Sequence, residues 1–265
     1  SNVSTLHIGQ RVGLSAIAGC GQCDECAQGR YTWCPDRRFY GNMHAEHTLI
    51  AANACHPLPD DVSWGAGVLL AGDGLGVPYH TSRKIVDPSI QNVAIFGVGP
   101  IGLGNTMMQV HSGRRVIAVD ISATRLDLAR ELGAAHAIDA GNTDPVEAIR
   151  SLTEGRGADV CIEAAGRPQT LLQCFATVRT GGTVVMNGEQ PAVELSPSEH
   201  FIRRDITAMG SWFYHFAQFT PMLALYRAGL PVENLVTDHF ALEDADMAFQ
   251  AFAAGQTGKV LIRYG

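Results

Sequence analysis

From about residue 90 onward, short runs of β-branched and apolar residues alternate with amphipathic stretches, which predicts βαβ units feeding a parallel sheet covered on both faces. Six runs carry the strand signal: Asn92 to Phe96, Arg115 to Val119, Ala135 to Ile138, Asp159 to Ile162, Thr183 to Met186 and Ile206 to Met209. Helix punctuation lies between them. Asp144 reads as an N-cap, Pro145 as the first helical residue, Glu147 as the closing member of a capping box, and Gly155 lies past the last turn. Ser122 likewise caps a helix that buries Leu126, Ala129 and Leu132 and stops before Gly133. Before residue 80 the pattern changes, because Gly, Pro and Asn break short extended pieces such as Gln10 to Ile17 and His44 to Ala51. That predicts a β-rich lobe. After Gly210 an apolar stretch leads to a helix over Leu242 to Ala254, ended by Gly255, and a last strand over Lys259 to Tyr264. The chain shows no internal repeat or low-complexity segment.

The first strand run enters Gly97-Val98-Gly99-Pro100-Ile101-Gly102 and then LGNTMMQVHSG, which reads as a helix ended by Gly113. A G-x-G-x-x-G in that setting suits a dinucleotide: the first glycine permits the tight turn, the second admits a pyrophosphate, and the third lets helix and strand pack closely. Free N–H groups and the helix dipole face the phosphates. The second strand ends at Asp120, where a carboxylate accepts both hydroxyls of the adenosine ribose and repels a 2′-phosphate, so NAD is expected rather than NADP. The competing reading has Arg114, Arg115 or Arg125 swing over to grip a phosphate, and the bland one is a Gly-rich turn that binds nothing.

Cys20, Cys23, Cys26 and Cys34 form a C-x2-C-x2-C-x7-C frame with Gly21 and Gly29 at the bends. This spacing suits tetrahedral capture of one zinc ion by four thiolates. With every position filled by sulfur the metal has no open place for water or substrate, so the site is structural rather than catalytic. Two disulfides are the alternative use of the same residues. Cys55, Cys161 and Cys174 sit among apolar neighbours and read as small hydrophobes.

A chain of 265 residues, 46% hydrophobic and 17% charged, has enough apolar material for one large core or two moderate ones. Net charge is −7 and the only lysines are Lys84 and Lys259, which argues against a nucleic-acid partner. No apolar run reaches membrane-spanning length and the start lacks the layout of a secretion signal, so a cytoplasmic protein is expected.

The cysteine frame upstream of the dinucleotide turn resembles the zinc-containing medium-chain dehydrogenases, the family of alcohol, sorbitol and threonine dehydrogenases. The likeness covers essentially the whole chain: VSTLHIGQRV, GCGQCDECAQGRYTWC, YGNMHAEHTLI, LPDDVSWGAGVLLAGDGLGVPYH, GVGPIG with VDISATR, and GQTGKVLIRYG. It implies an α/β fold, with a Rossmann doubly wound parallel sheet over residues 81–213 and a truncated GroES-like β-rich catalytic domain. The latter comprises residues 1–80, with the zinc lobe, and a return over 214–265. It implies an oxidoreductase that moves a hydride between a polyol or secondary alcohol and NAD, with a second, catalytic zinc polarising the alcohol oxygen. In that reading Gly97, Gly99 and Gly102, with Pro100 and Ile101 between them, hold the pyrophosphate, Asp120 takes the ribose, and Arg125 lies beside that ribose.

Asp73, seven residues before His80, matches the position where the family supplies a Cys, Asp or Glu near the catalytic metal; otherwise it is a solvated residue or helix cap. His44 falls near the substrate pocket, although for it and His47 an ordinary half-buried strand residue is the bland reading. Three apart on a strand, the two point to opposite faces and do not share a metal. His80 is expected to pack near the interdomain helix, Glu46 to orient backbone or pair with an arginine, and Phe213, Tyr214 and His215 to line the pocket or a subunit contact.

Family members open with a segment that supplies a zinc-binding cysteine, a Ser or Thr of a proton relay and a Gly-His-Glu motif, and this sequence contains none of it. A catalytic zinc needs three protein ligands, so the chain as given is expected to be inactive, whether as a fragment or as a natural short form. The remaining strands of the small lobe should then have unpaired edges. The alternative function is a non-catalytic NAD-binding protein, a sensor or an assembly partner. A zinc-free quinone reductase is disfavoured because such relatives lack the four-cysteine loop. The resemblance also implies a homodimer or homotetramer joined at the strand around Ile206 to Met209. Which alcohol or polyol is the substrate lies beyond the sequence.

Overall fold

A computed structural model describes residues 3–41 and 43–264; Ser1, Asn2, Asn42 and Gly265 lie outside the described residues, Asn42 and Gly265 being members of motifs quoted above. The N-terminal lobe is built from two short antiparallel ladders. β1 (Val12–Leu14) pairs with a later strand, while β2 (Ile17–Ala18), α1 (Asp24–Ala27) and β3 (Arg38–Phe39) frame the cysteine loop, with β2 paired to β3. β4 (Cys55–Pro57) closes on β1. The extended piece expected over His44 to Ala51 is not a strand. Its residues are largely exposed and, among the described residues, no neighbouring strand completes a ladder for it; the backbone bends at Ala45, whose N–H is bonded to the Met43 carbonyl. The opposite-face argument for His44 and His47 therefore does not apply.

Two helices join this lobe to the sheet. α2 (Trp64–Ala71) is capped by the Ser63 hydroxyl, which accepts from the Ala66 N–H at 3.1 Å, and α3 (Asp73–Ser82) follows after Gly72. Neither reads clearly from sequence, since glycines and Pro78 interrupt the helical pattern. The glycines instead permit close approach: a Cβ at Gly76 would overlap the Tyr214 ring, and one at Gly67 would meet Leu58 at 2.7 Å.

The α/β unit runs β5 (Asn92–Phe96), α4 (Pro100–His111), β6 (Arg115–Asp120), α5 (Ala123–Glu131), β7 (His136–Asp139), α6 (Pro145–Leu152), β8 (Ala158–Glu163), α7 (Pro168–Thr177), β9 (Val178–Met186), α8 (Pro197–His200) and β10 (Thr207–Gly210). All six strands are parallel, in the order β7-β6-β5-β8-β9-β10. This is the doubly wound arrangement, whose switch point lies between β5 and β8. Side chains of β5 alternate between two cores: Val93 and Ile95 face Leu103 and Met107 of α4, whereas Ala94 and Phe96 face Leu171 and Phe175 of α7. Full burial of each large side chain contributes roughly 1.5–3 kcal/mol.

Local corrections follow from packing. Asp144 caps α6 by accepting from the Val146 N–H at 2.8 Å, but Glu147 does not close the box, because its carboxylate turns toward Arg150. β9 begins five residues earlier than the apolar run, since Val178 pairs with Ala158 before an irregularity that precedes the Val160 and Thr183 pair. The chain then returns to the lobe through α9 (Phe219–Arg227), β11 (Val236–Ala241), α10 (Ala245–Ala253) and β12 (Lys259–Arg263), with β11 and β12 parallel. The helix expected from Leu242 starts as one 3-10 turn and becomes α-helical at Ala245. Among the described residues no helix is long and apolar enough to cross a membrane.

Candidate functional site

The glycine turn leaves β5 at the switch point of the sheet. Gly97 has φ +86°, and a Cβ there would sit 2.7 Å from the backbone of Ala165, in the loop that leaves β8. A Cβ at Gly102 would overlap the Gly97 carbonyl oxygen. Gly99 differs, because a Cβ there would meet nothing nearer than the Arg125 guanidinium at 3.7 Å. The first and third glycines are thus required by the fold, and the second keeps a surface open above the start of α4. Pro100 and Ile101 begin that helix, whose first N–H groups have no intrahelical acceptor.

Asp120 ends β6 beside this turn. Its Oδ2 accepts from the Val98 N–H at 2.7 Å and its Oδ1 from the N–H groups of Ile121 and Ser122 at 2.8 and 2.9 Å. The carboxylate is thereby fixed in place with lone pairs left for further donors. The three arginines weighed from sequence lie differently. Arg114 is bonded to Gln109 and the Ile85 carbonyl, and Arg115 to the Leu152 carbonyl and His136, both at the opposite end of β6 from Asp120. Arg125 donates from Nε to the Thr257 carbonyl at 3.2 Å and lies between Gly99 and Gly255.

The four cysteines converge. Cys23 is the N-cap of α1, Cys26 lies on it, and Cys34 follows the 3-10 turn Tyr31–Trp33. All four sulfurs lie within 4.8 Å of one another, and the 3.9 Å between Cys20 and Cys26 fits the roughly 3.8 Å edge of a tetrahedron drawn at a Zn–S distance of about 2.3 Å. Gly21 and Gly29, at φ +81° and +67°, make the bends. N–H groups of Gln22 and Cys23 pull the Cys20 thiol down to about 7, while burial and the crowding of other thiols push Cys26 up to about 12. Such a cluster resists joint ionisation by itself, and a divalent cation at its centre removes the conflict. The donor set therefore fits zinc. Cys55, Cys161 and Cys174 are buried and are not part of the group, and burial raises each thiol.

Asp73 and His44 both line a cavity of about 470 Å³ between the N-terminal lobe, α2 and β12, together with Trp64, Phe213, Tyr214 and Lys259. Asp73 is the first residue of α3, and its carboxylate lies 3.5 Å from the Lys259 ammonium. The His44 ring stands edge-on to Phe249, and His47 and Glu46 are exposed. Among the described residues the cysteines are the only group of three or more His, Cys, Asp or Glu donors within reach of one ion. Among the described residues Asp73 belongs to no group of three such donors, and its carboxylate faces the Lys259 ammonium.

Sequence reasoning missed a buried cluster of three histidines, because its members come from distant segments. His56 is stacked against Phe216 and Phe219 and shares a 3.2 Å hydrogen bond with the Tyr214 hydroxyl. His80, on α3, meets Gln218 and stands edge-on to His215, whose Nδ1 is 2.6 Å from the Thr32 hydroxyl. Burial pushes His56 down to about 3 and His80 and His215 down to about 4. In the unfolded chain each titrates near 6.5, so between those values the unfolded state binds more protons. Stability is therefore complete above about pH 6.5 and falls as the pH drops toward 4, by up to about 1.4 kcal/mol per pH unit for each histidine. Urea midpoints measured at pH 7.5, 6 and 5, with zinc content checked at each, should decline steadily; a flat profile would contradict the neutral cluster.

Known proteins share this architecture. Residues 1–60 match the family model of the alcohol dehydrogenase GroES-like domain, and residues 100–228 that of the zinc-binding dehydrogenase. The chain is 30% identical over 268 residues to L-threonine 3-dehydrogenase of Chromobacterium violaceum, an alignment covering 99% of this chain and 78% of that protein. The chain belongs to the zinc-containing medium-chain dehydrogenases. Among solved structures it is similar to 2R,3R-butanediol dehydrogenase from Bacillus subtilis, at 27% identity and a TM-score of 0.84 over 98% of this chain and 76% of that one. It is equally similar to a putative zinc-binding dehydrogenase from Sinorhizobium meliloti bound to NADP, at 27% identity and a TM-score of 0.85 over 98% and 78%. As a medium-chain dehydrogenase the chain is an oxidoreductase of the alcohol and polyol dehydrogenase type, with a Rossmann sheet and a GroES-like N-terminal domain.

Proposed function

We propose that this medium-chain dehydrogenase binds NAD at the Gly97–Gly102 turn, holds one structural zinc at Cys20, Cys23, Cys26 and Cys34, and carries the cofactor half of polyol or secondary-alcohol oxidation, the catalytic metal needing ligands beyond those the described residues offer. The observation that carries the reading is the Asp120 carboxylate, anchored to the Val98 N–H within the glycine turn. A carboxylate there accepts ribose hydroxyls and repels a 2′-phosphate, and neither Arg114 nor Arg115 is placed to offset it. Arg125, leaning over Gly99, supports the diphosphate instead. Bound NAD would supply the hydride acceptor; the chain's own residues hold and orient it. Residues 81–213 form the nucleotide-binding unit in this reading, residues 1–80 and 214–265 the companion domain, and β10, at the sheet edge, is the surface where a second copy would pair.

The donor set at Asp73 supports a second element of the proposal: the 265 residues bind dinucleotide but do not turn over alcohol by themselves. Metal analysis of the purified chain with zinc supplied should give about one zinc per chain, and a panel of polyols and secondary alcohols with NAD should yield no NADH. Two zinc ions per chain, or turnover of any panel member, would overturn this element and leave ordinary alcohol oxidation as the reading.

A further inference from the structure

The segment from Ser211 to Ala217 is a strap tied at both ends. On the sheet side, Ser211 donates its N–H to the Met186 carbonyl at 2.9 Å, receives the Thr81 hydroxyl at 3.0 Å, and offers its carbonyl to the Asn187 amide at 2.8 Å. These contacts sit at the C-terminal ends of β9 and β10, the side of a doubly wound sheet where ligands bind. In the middle, Phe213 and Tyr214 line the cavity that contains Asp73. Tyr214 is fixed by hydrogen bonds to the Ala71 carbonyl and His56, and by the bare face of Gly76.

Apart from the edge-on contact of His215 with His80 on α3, the other ties lead to the cysteine lobe. Phe39 and Arg37, just beyond Cys34, lie against Trp212 at 5.5 and 5.7 Å. Trp33 stands edge-on to His215 at 4.6 Å, Thr32 is bonded to the same imidazole, and Tyr31 stacks on Phe216 at 4.8 Å. Ala217 donates its N–H to the Gly29 carbonyl at 3.1 Å, and a Cβ at Gly29 would come within 2.7 Å of the Ala217 side chain. The cysteine cluster adjoins this seat, because a Cβ at Gly19 would be caught between the Cys26 sulfur and the Tyr31 ring. Phe213, between the two sets of ties, has φ +51°. A non-glycine residue keeps that conformation only when its flanks over-determine it.

We infer that the zinc lobe positions the strap, through Thr32, Trp33 and Phe39, so that metal retention and dinucleotide binding are thermodynamically linked. Phe213 and His215 are positioning residues in this account. The inference rests on the reading that zinc occupies the four cysteines and NAD the glycine turn. Linkage is reciprocal: whatever factor zinc adds to NADH affinity, NADH adds to zinc affinity.

The test uses the full chain loaded with zinc. Zinc affinity is measured by competition with a chromophoric chelator, with and without saturating NADH, and NADH affinity by fluorescence titration with and without zinc. Each should change by the same factor, about fivefold or more. Thr32→Val and Phe39→Ala, which keep all four thiols, should still bind zinc and NADH while the factor falls toward one. NADH binding with no change in zinc affinity would overturn the inference, as would an undiminished factor in both variants. If the zinc-free chain unfolds, the two zinc-loaded variants decide by the chelator measurement alone. Absence of any NADH binding is a separate outcome, which removes the functional reading as well.

Discussion

Gly102→Val should weaken NADH binding severely while leaving zinc content unchanged. The residue lies in the first turn of α4, and a Cβ there would overlap the carbonyl oxygen of Gly97, so the turn and the helix would have to separate. Separation moves the N–H groups at the start of the helix away from any diphosphate, which removes both the hydrogen bonds and the helix-end electrostatics. Affinity should fall at least about a hundredfold, equivalent to about 2.7 kcal/mol. Gly99→Ala is the informative contrast, because a Cβ there meets open space and Arg125 only. It should fold normally and weaken NADH through contact with the ligand alone. Equal binding by Gly102→Val and the unmodified chain, measured by fluorescence titration, would place the dinucleotide elsewhere.

Cys34→Ser should strip the zinc and cost more stability than any change at a cysteine outside the cluster. Cys34 is fully buried, its sulfur receives the Cys20 N–H at 3.3 Å, and it closes the loop whose preceding residues seat on the strap. Loss of one thiolate leaves three sulfurs and a poorly ionised hydroxyl around the ion. A loss of about 4 kcal/mol would lower the melting temperature by roughly 10 °C in a domain of this size. Cys174→Ser is the control, since Cys174 is equally buried but lies on α7 away from the cluster. Its zinc content should stay at that of the unmodified chain. Full zinc content in Cys34→Ser would contradict the four-sulfur site.

Much of the sheet was legible because strands buried on both faces announce themselves as apolar runs. β5 falls at the expected residues Asn92 to Phe96, and β6, β7, β8 and β10 within a residue or so. The start of β9 was hidden by Arg179, Thr180, Gly181 and Gly182, which read as a turn, and β11 by Thr237, Asp238 and His239. His44 to Ala51 had the composition of a strand but no partner to complete its hydrogen bonds among the described residues. The glycine turn and the cysteine frame were readable because each is local, with all its chemistry within about fifteen residues. The Asp73 and Lys259 pair, the His56, His80 and His215 cluster and the strap join segments more than a hundred residues apart in part, and no periodicity or spacing encodes such meetings.

Calorimetric titration of the zinc-loaded chain with NADH, and separately with NADPH, tests the central claim most directly. The account predicts one NADH site per chain and at least tenfold weaker NADPH, a preference worth about 1.4 kcal/mol from the Asp120 carboxylate. No heat of binding with either coenzyme, or a preference for NADPH, would contradict it.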